Sequence, residues 1–187
     1  MNDIDTFKSP EPNPESLMWR RRSLILNGAI IGILLLFLFY YKSPTLTPVL
    51  ISRELLGSFL NNAKLVGNGV EVGVQQGYFA ETVLREWTGE HYYLVDVWKH
   101  QENYVDIANV NQAVQESFMA EALSKVSPWK DRVTVVRNYS VLASKLFPEE
   151  FFDFIYLDAR HNYEGIKEDL HAWYPKLKQG GLFAGHD

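Results

Sequence analysis

The sequence predicts an α/β fold in which a mostly parallel sheet is covered by helices on both faces. From residue 49 onward, short β-branched or aromatic runs alternate with segments of helical periodicity, and glycines or acidic residues follow several of the predicted strands. Alternation of this kind implies right-handed βαβ crossovers and strands that are buried on both faces. We therefore expect a Rossmann-like, doubly wound sheet.

The individual elements follow from the apolar runs and their periods. Predicted strands cover residues 69–74, 92–97, 133–136 and 152–157, and a fifth strand begins at 182–184. Predicted helices cover residues 49–63, 78–87, 107–126, 141–146 and 163–176. We assign residues 49–187 to this one domain.

The chain before this domain has a different composition. Residues 1–22 are mostly polar and predict a disordered tail. Residues 23–41 contain an apolar run that would rise roughly 27 Å as a helix, which predicts a transmembrane helix, with a linker at 42–48. A buried core helix and a cleaved signal peptide are the alternatives, but the run has no polar face and ends in Phe-Tyr-Tyr-Lys rather than in small residues.

Flanking charges predict how this helix is oriented. Lys8 and the arginines at 20–22 precede the run, whereas Lys42 and Arg53 follow it. By the positive-inside bias, the N-terminus lies in the cytosol and the domain lies on the lumenal or extracytoplasmic side. The membrane is thus an expected partner, through one helix.

Composition narrows the classes of function. The net charge of -5 gives no broad positive field, so we expect no nucleic-acid partner. The sequence has no cysteine. This excludes disulfides, thiolate catalysis and cysteine-ligated zinc.

The first predicted strand ends in a glycine-containing turn with an acid beside it. Glu71, Gly73 and Gly77 give the spacing E-x-G-x-x-x-G, whereas a dinucleotide site has G-x-G-x-x-G. Glycine lets the backbone approach a ligand closely, and ligands bind at the carboxyl ends of parallel strands. We expect these three residues to bind a cofactor; a plain tight turn is the alternative.

Polar side chains also follow the second and third predicted strands. Asp96 ends the second strand, where a carboxylate can accept hydrogen bonds from a ribose diol, and Trp98 can cover an adenine face. Asn138 follows the third strand and can meet the adenine edge. A turn capped by Asp96 and a helix N-cap by Ser140 are the alternatives.

Acids and histidines follow the fourth and fifth predicted strands. Asp158 and His161 stand at the tip of the fourth, and His186 and Asp187 follow the fifth. Asp158, Asp187 and His186 can hold a divalent cation, and His161 can take a proton from a hydroxyl near neutral pH. The alternative is that Asp158 and His161 only bond neighbouring backbone and cap the next helix.

Together these segments resemble the class I S-adenosylmethionine (SAM)-dependent methyltransferases, and the likeness covers roughly residues 50–187. The nearest branch is the small-molecule O-methyltransferase-like one, through an Asp-x-x-His-x-Tyr segment from Asp158 and a Gly-Gly-x-x-x-Gly-His-Asp segment from Gly180. The resemblance implies that the Glu71 segment wraps the methionine part of SAM and that Asp96 binds its ribose.

The resemblance also implies a Mg²⁺-like cation, held by an aspartate after strand four and an acidic pair after strand five. This sequence has His186 and Asp187 where the pair would be, and imidazole suits transition metals better than magnesium.

The activity that the resemblance implies is methyl transfer from SAM to a hydroxyl oxygen of a small molecule or glycan, with Asp158 and His161 as catalytic residues. Domains of this family have seven strands, and this sequence stops at the tip of the fifth, so we expect an incomplete, truncated fold. The alternatives are a non-catalytic membrane protein on a degenerate methyltransferase fold and a nicotinamide-dependent oxidoreductase. Topology alone would also suit a membrane-anchored glycosyltransferase.

Overall fold

A computed structural model describes residues 52–186. All of them belong to one structural unit of the chain. The predicted tail, transmembrane helix and linker, at 1–22, 23–41 and 42–48, lie outside the described residues. Between residues 52 and 186, no helix combines the length and the apolar character that crossing a bilayer requires.

The described residues contain one parallel sheet of five strands. The strands are β1 (Asn68–Val72), β2 (His91–Asp96), β3 (Val133–Arg137), β4 (Phe152–Leu157) and β5 (Leu177–Gly185). Their order across the sheet is β3-β2-β1-β4-β5, and each neighbouring pair is parallel. The chain builds outward from β1 on one side and from β4 on the other, so the winding direction reverses between these two strands. The predicted doubly wound sheet is therefore confirmed.

Helices connect the strands. They are α1 (Leu56–Asn62), α2 (Tyr78–Glu86), α3 (Gln112–Val126), α4 (Ser140–Ser144) and α5 (Tyr163–Trp173). Short 3₁₀ turns precede α1 at Arg53–Leu55 and follow α3 and α5 at Ser127–Arg132 and Tyr174–Lys176.

Two apolar clusters cover the two faces of the sheet. On one face, Tyr92 and Phe154 pack among the buried side chains of α1, α2 and α3. On the other, Val70 and Ile155 pack with side chains of α4 and α5, among them Trp173. Successive residues of a strand point to opposite faces, which is why neighbouring apolar positions such as Phe154 and Ile155 belong to different clusters. Each large apolar side chain buried in this way contributes about 1.5–3 kcal/mol to stability.

The structure moves two predicted boundaries that affect the site. The helix predicted from residue 107 begins at Gln112, because the side chain of Asn111 accepts a backbone hydrogen bond at 3.1 Å and caps it. Residues 99–111 are instead an irregular loop. Strand β1 ends at Val72 rather than 74, because Gly73 turns the chain with φ 94°.

Strand β5 begins earlier than predicted. It starts at Leu177, and its pairing with β4 shifts register between Phe152 and Phe154. Gly180, at φ 79°, provides the irregular backbone on the β5 side. Polar residues and glycines in this stretch give no strand pattern, so sequence alone predicted only the apolar end.

Candidate active site

A cleft of about 1390 Å³ opens at the carboxyl ends of the strands. This is the edge where open parallel sheets bind ligands, beside the point where the winding reverses. The predicted site residues that line the cleft are Glu71, Gly73, Asp96, Asn138, Asp158, His161 and His186. The fold thus brings together residues that are spread over 116 positions of the chain, from 71 to 186.

Glu71 is an acid buried in the wall of the cleft. It is 2% exposed, and the hydroxyl of Tyr92 on β2 donates a hydrogen bond to its carboxylate at 3.0 Å. Burial raises the pKa of Glu71 well above its usual value, and the charges of Asp158 and Asp96 add to this, whereas the Tyr92 hydrogen bond and Arg53 oppose it. A carboxyl in this position favours either a proton or a neighbouring cation.

Gly73 lets the tips of β1 and β4 approach each other. Its φ of 94° is one that residues with a side chain rarely adopt. Its N–H donates to the carbonyl of Val95 at 2.8 Å. A Cβ at this position would collide with the backbone carbonyl of Asp158. Glycine is therefore required for packing here.

Asp96 fixes the turn that follows Gly73. Its Oδ2 accepts hydrogen bonds from the backbone N–H groups of Val74 and Gln75, and its Oδ1 accepts one from Trp98, all at 2.8 Å. Asp96 therefore caps this turn, as the alternative to ribose binding predicted. A carboxylate has about four acceptor positions, so capacity remains for a ligand hydroxyl.

Two predicted cofactor-binding residues lie outside the lining of the cleft. Trp98 is 0% exposed, and its indole N–H donates to the carbonyl of Gln75 at 2.8 Å. In this position the indole is buried away from the cleft lining, so the structure does not support the expected contact with an adenine. Gly77 precedes α2 with φ 75°, and a Cβ there would press on Ala122 of α3. Glycine here permits close packing of α2 against α3, and its contact with a cofactor stays a prediction.

Asn138 stands beside Asp96 at the cleft wall. Its backbone N–H donates to the carbonyl of Asp96 at 3.0 Å, and its side-chain oxygen accepts from the N–H of Tyr139 at 2.9 Å. These contacts join the tips of β2 and β3.

His161 lies between two carboxylates. Its Nε2 is 3.1 Å from Oδ1 of Asp158, and its Nδ1 is 2.9 Å from Oδ2 of Asp106. Hydrogen bonds first to Asp106 and then to Asp158 raise the pKa of His161, although partial burial opposes them. A histidine that donates from both nitrogens is an imidazolium and must lose a proton before it can act as a base. This geometry therefore favours the protonated form of His161, which cannot act as the expected base.

Sequence analysis missed two residues of this site, Tyr104 and Asp106. Both line the cleft from the loop at 99–111. The only available signal was the closeness of a tyrosine and an aspartate in a polar stretch, and their partner His161 is more than 50 positions away.

The predicted cation site is incomplete within the described residues. Between residues 52 and 186, no group of three histidine or acidic side chains lies in position to hold a metal ion. His186 is exposed at the cleft, where its N–H donates to the carbonyl of Leu157 at 3.2 Å. Asp187, the other predicted ligand, lies outside the described residues. Asp158 and His186 alone do not fit a resident cation.

Solved structures share the fold at low sequence identity. A proposed caffeoyl-CoA O-methyltransferase from Staphylococcus aureus is 15% identical, with a TM-score of 0.51, over 89% of this chain and 71% of the other. A protein from Corynebacterium glutamicum is 11% identical, with the same TM-score of 0.51, over 72% of this chain and 57% of the other. The chain therefore spans only part of the length of these relatives.

Sequence comparison gives the family. No curated protein matches the sequence significantly. A family profile described as a methyltransferase domain, however, matches residues 70–187, which is more than half of the chain. The match begins within β1 and includes β2 to β5. The chain belongs to the family of methyltransferase domains that this profile describes.

Proposed function

We propose that the protein transfers the methyl group of SAM to a hydroxyl oxygen of a small molecule or a glycan. The observation that carries this proposal is the cleft beside β1 and β4. Its lining includes Glu71, Asp96, Asp158 and His161. The name of the Staphylococcus aureus relative, a proposed O-methyltransferase, supports oxygen as the acceptor atom.

The side chains of the cleft fit SAM by their chemistry. SAM carries a sulfonium and an ammonium, and Glu71, Asp96 and Asp158 supply negative charge in the same cleft. SAM also carries a carboxylate. Arg53 lines the cleft, and its positive charge acts on Glu71, so a cation stands close to the buried acid. We infer that Arg53 pairs with the carboxylate.

Binding and orientation fall to the tips of the first three strands. When bound, SAM supplies a methyl group that its sulfonium has already activated. Asp96 has acceptor capacity for a ribose hydroxyl, and its backbone bonds already hold it in place. Asn138 beside it is suited to the adenine edge. The protein's main task is then to hold an acceptor oxygen in line with the methyl group.

Asp158 is better suited than His161 to receive the proton of the acceptor. The two carboxylates raise the pKa of His161 and so favour its protonated form, whereas Asp158 has one oxygen bonded to His161 and a second oxygen with acceptor capacity. We propose that the acceptor hydroxyl donates to Asp158 and that His161 holds that carboxylate and stabilises its charge.

We also propose that residues 23–41 anchor the protein in a membrane, with the N-terminus in the cytosol and the domain on the lumenal or extracytoplasmic side. The apolar run and the excess of arginines before it support this. Protease protection of tagged termini in sealed membranes tests it. A domain that is digested from the cytosolic side would refute the orientation.

Binding of S-adenosylhomocysteine (SAH), measured by calorimetry, tests the cofactor assignment. Asp96→Ala should weaken binding about 10- to 100-fold, because a hydrogen bond to a charged group is worth about 1.5–3 kcal/mol. Asp131→Ala, an exposed aspartate in the 3₁₀ turn after α3, is the control. Equal affinities in both variants, with folding checked by circular dichroism, would overturn the assignment. Transfer of labelled methyl to a panel of phenols, catechols and sugars then identifies the acceptor class.

A further inference from the structure

The loop between β2 and α3, residues 99–111, has a fixed shape of its own. The side-chain amide of Asn109 donates to the carbonyls of Gln101 and Tyr104, and its oxygen accepts from the N–H of Gln101 at 2.9 Å. Asp106 Oδ1 accepts from the N–H of Ala108 at 2.7 Å. These bonds set the positions of Tyr104 and Asp106 from within the loop.

The same loop is fastened to the turn between β4 and α5. The hydroxyl of Tyr104 donates to Oδ2 of Asp106 at 3.1 Å and accepts from the backbone N–H of His161 at 3.0 Å. Oδ2 of Asp106 also faces Nδ1 of His161 at 2.9 Å. Tyr104 therefore holds the backbone of His161 while Asp106 holds its ring. We call these two residues the clasp.

The turn that the clasp reaches is anchored from the other side by an ion pair. Arg160 lies next to His161, and its guanidinium contacts Asp169 of α5 at 3.1 Å. Asp169 is 0% exposed, so this ion pair holds Arg160 in place against α5. His161 thus has a fixed backbone, while the direction of its ring depends on the carboxylates at its two nitrogens.

The position of Asp106 requires a side chain that only accepts hydrogen bonds, as a carboxylate does. Three donors converge on its two oxygens: the N–H of Ala108, the hydroxyl of Tyr104 and Nδ1 of His161. An asparagine would place an NH₂ donor against at least one of them. The isosteric change Asp106→Asn is therefore expected to break the clasp.

We propose that Asp106 and Tyr104 are positioning residues for methyl transfer: they hold the His161 ring so that its Nε2 fixes Asp158 toward the acceptor. This inference rests on the proposed function. The loop at 99–111, which lines the cleft beside His161, then forms the acceptor-side wall. Orientation of a histidine by a carboxylate at its far nitrogen is a recurring way to hold a catalytic pair in register.

Hydrogen exchange of the full-length protein tests the clasp without any acceptor. In Tyr104→Phe, the N–H of His161 loses its acceptor, so its exchange should quicken at least about tenfold. Asp106→Asn should quicken exchange across residues 101–109 by a similar factor. Val105→Thr is the matched control, since Val105 lies between the two residues and is 101% exposed. Imidazole ¹⁵N shifts of His161 should change in both clasp variants and stay unchanged in the control.

Ligand binding and kinetics separate this inference from the proposed function. Both clasp variants should bind SAH within about twofold of wild type, and their kcat should fall at least about tenfold with the KM for SAM unchanged. Unchanged exchange and ¹⁵N shifts in both variants would overturn the clasp. A loss of SAH affinity that parallels the loss of kcat would place the loop at the cofactor and also overturn it. Failure of the wild type to bind SAH would refute the proposed function, while exchange and ¹⁵N shifts would still decide the positioning of His161.

Discussion

Replacing Glu71 with glutamine should make the protein more stable at neutral and alkaline pH. Glu71 is 2% exposed, and its hydrogen-bond partner is the neutral hydroxyl of Tyr92. Burial raises its pKa well above the usual 4.5, so the folded state binds a proton more tightly than the unfolded state. Stability from this group is complete below the unfolded pKa and is lost as the pH rises toward the folded pKa. Glutamine keeps an oxygen for the Tyr92 hydroxyl but carries no charge, so it escapes this loss.

The size of the effect follows from the environment of the carboxylate. A buried charge costs several kcal/mol, and the Tyr92 hydrogen bond with the nearby Arg53 offsets part of this, which leaves about 1–2 kcal/mol. For a domain of this size that corresponds to a melting temperature about 3–10 °C higher at pH 8. At pH 4.5 the difference between the two proteins should be much smaller, because Glu71 is then protonated in the folded state and about half protonated in the unfolded state.

Thermal unfolding followed by circular dichroism between pH 4.5 and pH 8 measures this difference. Glu90→Gln, an exposed glutamate just before β2, is the control and should show no pH-dependent gain. Tyr92→Phe should lose stability, since it removes the donor to Glu71. A Glu71→Gln protein that melts at or below wild type at pH 8 would refute the reasoning. Added SAM should stabilise the variant less than wild type, because the variant lacks the charge that faces the cofactor.

Two further substitutions examine other parts of the cleft. Arg53→Gln should weaken SAH binding about tenfold while leaving 5′-methylthioadenosine, which lacks the carboxylate, unaffected; equal losses for both ligands in calorimetry would exclude the proposed carboxylate contact. Gly73→Ala should cost about 3 kcal/mol or more in urea unfolding, because it combines a positive φ with a collision against the Asp158 carbonyl. Gly180→Ala has a similar φ but no neighbour within 4 Å, so it should cost only about 1–2 kcal/mol, and equal losses at the two positions would show that the collision does not matter.

The fold was predictable because its signals are local. Strands such as β1 and β4 are short apolar runs bounded by turns, and helices between them have their own period. Once the sheet is parallel, the acids at the carboxyl ends of β1, β2 and β4 must share one edge. Glu71, Asp96 and Asp158 could therefore be placed in one cleft from sequence.

Side-chain roles were harder to predict because they depend on contacts between distant segments. Trp98 follows an acid at a strand tip, as an adenine-covering residue would, yet its indole is buried against Gln75. Gly77 fits a ligand-binding motif, yet it serves the contact with α3. Both outcomes depend on how a helix packs, and a single sequence gives no measure of that. Asp106 escaped notice for the same reason, since its partner lies on another element.

Glu71, Asp96 and Asp158, the acids at the strand tips in the cleft, differ in how their charges are compensated. This difference bears on which of them needs a ligand. Asp96 accepts three backbone hydrogen bonds, and Oδ1 of Asp158 lies 3.1 Å from Nε2 of His161. Glu71 is the most buried of the three, and only one neutral donor, Tyr92, and the nearby charge of Arg53 offset its desolvation. Because an uncompensated charge costs most where water is excluded, a cation entering the cleft gains most beside Glu71. The positively charged end of SAM is therefore expected there, with its ribose toward Asp96 and its methyl group toward Asp158.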